Sequence, residues 1–217
     1  MAYKAILFDF DYTLADATPG IVQAWNHTLQ TMNLPAQSVD AVRHTVGMSL
    51  TEAFTTLSGI TDAPLATQAS TIYVAKSAEI MSANTSLFAD SIDTLTRLQA
   101  HGYHTGIVTT KRHFLIDEAL AMHNAAHLID YIIGFEDVSA PKPSPEGVYK
   151  AIAHFGLTKE DILYVGDSLF DVHAAANAEV DFAAVLNGTT KRETFQPLPH
   201  VLIADSLTEI ADFILQK

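Results

Sequence analysis

Cysteine is absent from this chain of 217 residues. A protein without thiols forms no disulfide bonds, holds no iron–sulfur cluster or cysteine-ligated zinc ion, and has no thiol nucleophile. This composition is compatible with a reducing compartment, and we expect the protein to work in the cytoplasm.

Basic residues are scarce as well, with 12 lysines and arginines against 25 aspartates and glutamates, which gives a formal net charge of −13. Such a surface repels polyanions, and the chain lacks the basic stripe that binding to a nucleic-acid backbone requires. We therefore expect no nucleic-acid partner. Any phosphorylated substrate should be a small metabolite, held by a local cluster of donors and a cation.

Long hydrophobic runs are also missing, although 48% of the residues are hydrophobic. No stretch is long enough to span a bilayer, and the apolar run at residues 5–8 is too short for the core of a signal peptide. We therefore expect a globular protein without a membrane partner, present as a monomer or a homodimer.

Short apolar runs that end in polar residues recur along the chain and predict parallel strands buried on both faces. These runs are residues 3–8, 104–109, 131–134, 162–166, 182–186 and, more weakly, 201–203. Helical patterns lie between most of them, at residues 92–100, 114–123, 146–154 and 171–178. This alternation predicts an α/β fold with a doubly wound, mostly parallel, Rossmann-like sheet, whose ligand site lies beyond the carboxyl ends of the strands.

Residues 15–85 break the alternation, because they contain amphipathic helical patterns and no convincing strand. Thr18-Pro19 is a typical helix start, and further patterns follow it at residues 21–32, from 39, at 51–57 and at 65–81. We interpret residues 15–85 as an inserted all-helical cap domain. Residues 1–14 and 86–217 would then form the α/β catalytic core.

Four polar clusters stand at the ends of predicted strands or in the loops that follow them. They are Asp9-Phe10-Asp11-Tyr12-Thr13-Leu14, Thr109-Thr110-Lys111, Pro141-Lys142-Pro143 and Gly166-Asp167-Ser168-Leu169-Phe170-Asp171. Taken alone, Asp9 and Asp11 are explained as well by an ordinary helix N-cap or turn as by a functional site. The second acidic pair changes this interpretation, because a parallel sheet would gather all four carboxylates at one rim, where their repulsion requires a cation. Oxygen ligands without cysteine favour Mg²⁺.

The remaining polar residues fit phosphoryl transfer. A phosphoryl group in transit carries negative charge on its equatorial oxygens, which the hydroxyl of Thr109, the ammonium of Lys142 and a metal ion would stabilise. With charge neutralised in this way, Asp9 would act as the nucleophile and form an aspartyl-phosphate. Asp11 would protonate the leaving oxygen and later activate the hydrolytic water. Thr13 is predicted to hydrogen-bond within its own loop.

A family resemblance rests on the order of these motifs. The set is Asp9-x-Asp11-x-Thr13, Thr109, Lys142 and Gly166-Asp167-x-x-x-Asp171. It resembles the haloacid dehalogenase superfamily of phosphohydrolases, in the same motif order. The resemblance extends over almost the whole chain and includes a helical cap after the first motif, as in phosphoglycolate phosphatase-like members.

The resemblance implies a role for each motif residue. Mg²⁺ would be held by the carboxylates of Asp9 and Asp167 and by the backbone carbonyl of Asp11, with Asp171 in a supporting role. The phosphate-binding residues implied are Thr109, Thr110 and Lys142. The activity implied is the Mg²⁺-dependent hydrolysis of small phosphate monoesters, similar to that of phosphoglycolate phosphatases.

Two residues of the first motif bear on the choice within the family. Dehalogenases and phosphonatases lack an aspartate at the place of Asp11, so a phosphatase is favoured. Tyr12 stands where these enzymes commonly carry glycine, and we expect it to affect the shape of the loop more than the chemistry. The alternatives are a sugar-phosphate mutase similar to β-phosphoglucomutase, a pyrophosphatase, and a non-catalytic protein that binds a phosphorylated metabolite.

Overall fold

The computed structural model describes residues 3–216 of the chain. They form two compact units, one made of the residues up to Asp16 together with those from Leu87 onward, and the other of Ala17–Ser86. Residues 1, 2 and 217, which the predicted core range included, lie outside the described part. That the helical unit serves as a cap stays a prediction.

The secondary structure combines a central sheet with helices. The strands of the sheet are β1 (Ala5–Phe8), β2 (His104–Val108), β3 (Tyr131–Ile133), β4 (Ile162–Gly166), β5 (Asp181–Val185) and β6 (Leu202–Ala204). The helices are α1 (Thr18–Thr31), α2 (Val39–Arg43), α3 (Leu50–Ser58), α4 (Ala63–Ile80), α5 (Ser91–Ala100), α6 (His113–Met122), α7 (Glu146–Phe155), α8 (Leu169–Ala178), α9 (Arg192–Phe195) and α10 (Leu207–Leu215). Two-residue strands occur at Ala15–Asp16 and Ser86–Leu87, and 3₁₀ turns at Ser82–Asn84, Ala126–Leu128, Phe135–Asp137 and Lys159–Asp161.

The strands of the sheet lie in the order β3-β2-β1-β4-β5-β6, and each neighbouring pair is parallel. The predicted doubly wound parallel sheet is therefore confirmed. The chain builds outward from β1 to β3 and then crosses over to build from β4 to β6, so the order reverses between β1 and β4. Sheets of this order bind ligands beyond the carboxyl ends of the strands that flank the reversal.

The two faces of the sheet are both covered by helices. All four residues of β1 are fully buried. Ile6 and Phe8 pack into one hydrophobic cluster, which α5, α6 and α10 complete, whereas Ala5 and Leu7 pack into a second cluster, which α7 and α8 complete. Successive side chains of a strand point to opposite faces, so a strand between two helical layers must be apolar at every position.

The beginning of α8 differs from its predicted position, residue 171. The helix begins at Leu169, because Ser168 is its N-cap and forms a capping box with Asp171. The Ser168 hydroxyl and N–H both donate to the Asp171 carboxylate. The acidic residue that was taken as the start of the helix is therefore the third residue within it.

The helical unit has a core of its own. Trp25 of α1 and Phe54 of α3 are buried, and the ring of Tyr73 of α4 lies against Trp25, with 4.5 Å between centroids. Gln37 ties two of the helices together, since its N–H donates to Asn26 at 2.8 Å and its side chain donates to the carbonyl of Leu57 at 2.8 Å. Among residues 3–216, no helix combines the length and the apolarity needed to cross a membrane.

Candidate active site

Asp9 is the first residue beyond β1, and 5% of its surface is exposed. Its N–H donates to the carbonyl of Val165 in β4 at 2.9 Å, which extends the pairing of the two strands by one residue. Burial raises the pKa of Asp9 to about 6, although the charge of Lys142 acts in the opposite direction. A carboxylate withdrawn from water in this way is typical of functional sites rather than of stabilising ion pairs.

Lys142 approaches Asp9 from the loop that follows β3, and it is 8% exposed. Its ammonium nitrogen lies 3.0 Å from Oδ1 of Asp9 and 2.5 Å from Oδ1 of Asp171. It also donates to the hydroxyl of Tyr164 at 3.2 Å. Burial alone would lower the pKa of Lys142, but the charges of Asp171 and Asp9 outweigh it and raise the pKa well above its usual range. The lysine is therefore a fixed positive charge beside the Asp9 carboxylate.

Asp171 has partners on both of its carboxylate oxygens. Oδ2 accepts from the N–H of Ser168 at 2.9 Å and from its hydroxyl at 2.6 Å. Oδ1 accepts from Lys142, and the oxygen of the Tyr164 hydroxyl lies 3.1 Å from it. With its lone pairs occupied in this way, Asp171 orients Lys142 and is less available than Asp9 to a metal ion.

Asp167 follows β4 directly, as Asp9 follows β1, and is equally buried. Burial raises the pKa of Asp167 well above its ordinary value, and the charges of Asp171 and Asp9 raise it further. Oδ1 of Asp167 accepts a hydrogen bond from the Thr13 hydroxyl at 3.2 Å. Our prediction that Thr13 bonds within its own loop was therefore wrong for the side chain, because the hydroxyl reaches a carboxylate on the neighbouring strand.

The three buried aspartates form a candidate metal centre. Ligand atoms of Asp9, Asp167 and Asp171 all lie within 4.8 Å of one another. Oδ1 of Asp9 is buried and, although Lys142 is near, accepts no hydrogen bond of good angle from the described residues. Three carboxylates against one lysine leave an excess of negative charge, with oxygen atoms alone as donors. This set fits a hard divalent cation.

The predicted phosphate-binding residues line a single small cavity of the α/β unit. Thr109, Thr110 and Lys142 line this cavity together with a further polar residue, Ser144. The hydroxyl of Thr109 acts to lower the pKa of Asp9, against the larger effect of burial, and accepts a hydrogen bond from the N–H of Lys111 at 3.3 Å. The apolar lining includes Val108, Ile133, Phe135, Val138 and Pro141.

Lys111 is a site residue to which sequence reasoning assigned no role. Its ammonium lies 2.9 and 3.0 Å from the two carboxylate oxygens of Asp11, and only 8% of the residue is exposed. The nitrogen also lies 5.6 Å from the centre of the Phe10 ring. The sequence could have predicted this role, because Lys111 lies in the same strand-end cluster as Thr109. A cation at that position faces the acidic residues at the end of the adjacent strand.

Tyr164 is a second residue that the sequence did not reveal. It lies within β4, and its hydroxyl donates to the carbonyl of Val108 at 2.7 Å while accepting from Lys142. In sequence it reads as one more apolar residue of a buried strand. A buried tyrosine hydroxyl needs a polar partner, however, and that requirement is the only signal the sequence offered.

Tyr12, which stands at the place of the family's common glycine, has a left-handed backbone with φ of 60°. The residue is also buried. A left-handed conformation costs a residue with a Cβ atom energy that glycine avoids. The turn between Asp11 and Thr13 therefore has a backbone shape that glycine suits best, and Tyr12 maintains it at a cost in strain.

His123 and His127 are four residues apart in the sequence, a spacing at which one helix face could present two imidazoles to a metal ion, but the two residues do not share a helix. α6 ends at Met122, ahead of His123, and His127 lies in the next 3₁₀ turn. A helical pair that presents two imidazoles on one face is therefore excluded.

Comparison with known proteins gives concordant matches. The family model described as haloacid dehalogenase-like hydrolase matches residues 6–185. A phosphoglycolate phosphatase from Photorhabdus laumondii is 32% identical over 183 residues, which are 81% of this chain and 76% of that protein. Pyrophosphatase PpaX from Bacillus velezensis is 31% identical over 196 residues, which are 89% of each protein.

A crystal structure of a haloacid dehalogenase-like hydrolase from Bacteroides fragilis is also similar. It has a TM-score of 0.92 and 39% sequence identity, and the match covers 96% of this chain and 99% of that one. Sequence family, fold and the meeting of the motif residues at one rim of the sheet thus agree. The chain belongs to the haloacid dehalogenase-like hydrolase family, as an enzyme whose relatives include phosphatases.

Proposed function

We propose that this enzyme is a Mg²⁺-dependent phosphatase that hydrolyses small phosphate monoesters through an aspartyl-phosphate on Asp9. The observation that carries the proposal is the meeting of Asp9, Asp167 and Lys142 in one buried site at the point where the strand order reverses. A buried lysine and a cation together lower the charge barrier to the approach of a phosphate dianion to a carboxylate.

The binding of substrate would use both sides of the Asp9 carboxylate. Mg²⁺ would be held by the carboxylates of Asp9 and Asp167 and by the backbone carbonyl of Asp11. When bound, the ion would neutralise charge on the phosphoryl oxygens and so favour attack by a carboxylate. The groups that would bind the phosphate on the other side are Thr109, Thr110 and Lys142.

The chemistry would proceed in two steps. In the first, a carboxylate oxygen of Asp9 attacks the phosphorus, the bond to the leaving oxygen breaks, and Asp11 donates a proton to that oxygen. In the second, Asp11 takes a proton from a water molecule, whose oxygen attacks the phosphorus of the aspartyl-phosphate and releases inorganic phosphate and free Asp9. Lys111 holds both oxygens of Asp11 in the conformation described, so Asp11 would have to leave this ion pair before it donates a proton to the leaving oxygen.

The substrate would be a small phosphorylated metabolite, with 2-phosphoglycolate as the first candidate. The similarity to phosphoglycolate phosphatases supports this choice. Inorganic pyrophosphate is the second candidate, because a pyrophosphatase is similar over 89% of this chain. We further propose that Ala17–Ser86 acts as a cap that sorts substrates, and that the enzyme works in the cytoplasm as a monomer or a homodimer.

A panel of phosphate compounds tests the proposal. The purified protein with Mg²⁺ should release phosphate from 2-phosphoglycolate or pyrophosphate, and the substitution Asp9→Asn should abolish release. Asp93→Asn, which removes an exposed carboxylate on α5, is the matched control and should retain activity. Failure of the wild-type protein to release phosphate from any ester or anhydride in the panel would overturn the proposal, and interconversion of sugar phosphates without release would identify a mutase.

A further inference from the structure

The loop that follows β5 lies directly against Asp167. A Cβ atom added to Gly188 would come within 2.0 Å of Oδ2 of Asp167, 2.9 Å of its Cγ and 3.1 Å of its Cβ. Real Cβ atoms are essentially never found closer than 3.0 Å to such neighbours. The carboxylate therefore occupies the space in which any other residue at position 188 would place its side chain.

The preceding residue ties the same loop to the first motif. The side-chain amide of Asn187 donates to the backbone carbonyl of Thr13 at 3.3 Å. The hydroxyl of Thr13 in turn donates to Oδ1 of Asp167. One oxygen of Asp167 is thus held through Thr13, while the other lies against Gly188.

These contacts restrict the Asp167 carboxylate from two sides. Its torsion angles are confined, because rotation away from the Gly188 backbone would break the hydrogen bond from Thr13. A metal ligand with a fixed direction binds more tightly than a mobile one, because less freedom is lost when the ion binds. The loop after β5 contains none of the motif residues discussed so far, yet it forms a wall of the candidate metal centre.

We propose that Asn187 and Gly188 are positioning residues for the metal centre: they set the direction of the Asp167 carboxylate and thereby the affinity for a divalent cation. The inference rests on the proposed role of Asp167 as a metal ligand. In Gly188→Ala, either the carboxylate rotates away from the new methyl group or the loop retracts and gives up the bond between Asn187 and Thr13. Either movement changes the direction in which the Asp167 carboxylate points in the wild-type protein.

Titration calorimetry with MgCl₂ into the full-length protein tests this proposal without any substrate. We expect Gly188→Ala to bind Mg²⁺ about 10- to 100-fold more weakly than the wild-type protein. Asn187→Ala removes one hydrogen bond without a steric clash, and its affinity should fall in the same direction by about tenfold or less. The stabilisation that saturating Mg²⁺ adds to thermal unfolding should shrink in the same order.

Gly106→Ala is the control for a loss of stability alone. Its Cβ atom would lie 2.9 Å from Leu7 inside the sheet, away from the aspartates. Its Mg²⁺ affinity should equal that of the wild-type protein. If Gly188→Ala and Asn187→Ala both bind Mg²⁺ with the wild-type affinity, the inference is overturned. If Gly188→Ala does not fold, the Mg²⁺ affinity of Asn187→Ala alone decides. A wild-type protein that binds no Mg²⁺ would instead overturn the proposed function.

Discussion

Lys111 and Asp11 form an ion pair between two strand ends, with the ammonium nitrogen 2.9 and 3.0 Å from the two carboxylate oxygens. The exposed fractions of the two side chains are 5% and 16%, so the pair is largely withdrawn from solvent. Loss of one partner from such a pair leaves an uncompensated charge where water reaches it poorly.

Lys111→Met should therefore lower the free energy of unfolding by about 1–3 kcal/mol at pH 7, between the values typical of exposed and of fully buried pairs. Urea unfolding measures this change. The double variant with Asp11→Asn should recover part of the loss, because it removes the unpaired carboxylate as well. Additive effects of the two substitutions would show that the ion pair contributes nothing to stability.

Tyr164→Phe should weaken catalysis while preserving the packing of the ring in β4. The substitution removes the donor to the carbonyl of Val108 and one acceptor of Lys142, so the lysine gains freedom beside Asp9. We expect kcat/KM to fall about 10- to 100-fold, as misplaced catalytic groups commonly cause.

The matched control for this substitution is Tyr149→Phe. It removes a hydroxyl that donates to the carbonyl of Asn177 on the exposed surface of the same unit. Its kcat/KM should match that of the wild-type enzyme. An unchanged kcat/KM in Tyr164→Phe would rule out a role of the hydroxyl in holding the lysine.

Asp9→Asn should stabilise the metal-free protein in a pH-dependent way. The pKa of Asp9 is raised from its ordinary value of 3.8 to about 6 in the folded protein, so its ionisation opposes folding. Below about pH 4 the group is protonated in both folded and unfolded chains, and the variant gains nothing. The stabilisation should grow between pH 4 and 6 and then level off, at about 1–3 kcal/mol.

Urea unfolding in EDTA at pH 4, 5, 6 and 8 follows this change. Asp93→Asn, with the same loss of charge on an exposed helix, should show no such rise. Addition of Mg²⁺ should stabilise the wild-type protein above pH 6 more than Asp9→Asn, because the ion compensates the charge that the variant lacks. A stability difference that does not change with pH would contradict the assigned burial of the Asp9 charge.

Glu146→Gln should loosen the loop that carries Lys142. The Glu146 carboxylate pairs with Lys150 at 2.8 Å and accepts from the N–H and hydroxyl of Ser139 and from the N–H of Ala140. The bonds from Lys150 and Ser139 lower the pKa of Glu146 to about 2. Any stability they supply is present above the ordinary pKa of 4.5 and is lost as the pH falls toward 2.

Because the amide is neutral, the free energy of unfolding of the variant should differ from that of the wild type only above about pH 2, where Glu146 is ionised. The KM for substrate should rise severalfold if Lys142 binds the phosphate from this loop, as proposed. Glu193→Gln, an exposed acid in the first turn of α9, serves as the control. Wild-type KM in Glu146→Gln would mean that the loop is held by its other contacts.

Much of the fold was predictable because its signals are local. Each predicted strand is a run of apolar residues, and such a run indicates burial on both faces whatever its neighbours are. Asp9 and Asp167 could be placed at one rim because the carboxyl ends of parallel strands share an edge. The order of the strands, and therefore the adjacency of β1 and β4, does not follow from any local pattern.

The contacts that complete the candidate site could not be predicted from the sequence, because they join residues that are far apart in the chain. Asn187 bonds Thr13 from 174 residues away in the sequence, Thr13 bonds Asp167 from 154, and Lys111 bonds Asp11 from 100. No periodicity or spacing encodes such pairs, because they depend on how strand ends and loops converge once both faces of the sheet are covered.

The sequence by itself therefore determined which elements form and which side chains stand at their ends, because hydrophobic period and motif order act over a few neighbouring residues. The tertiary structure alone decided which of those side chains touch. In the folded protein Asp171 forms an ion pair with Lys142, and the Thr13 hydroxyl bonds Asp167 instead of its own loop. Gly188 lies against the carboxylate of Asp167. Each of these contacts requires two distant segments to be packed before the atoms can meet.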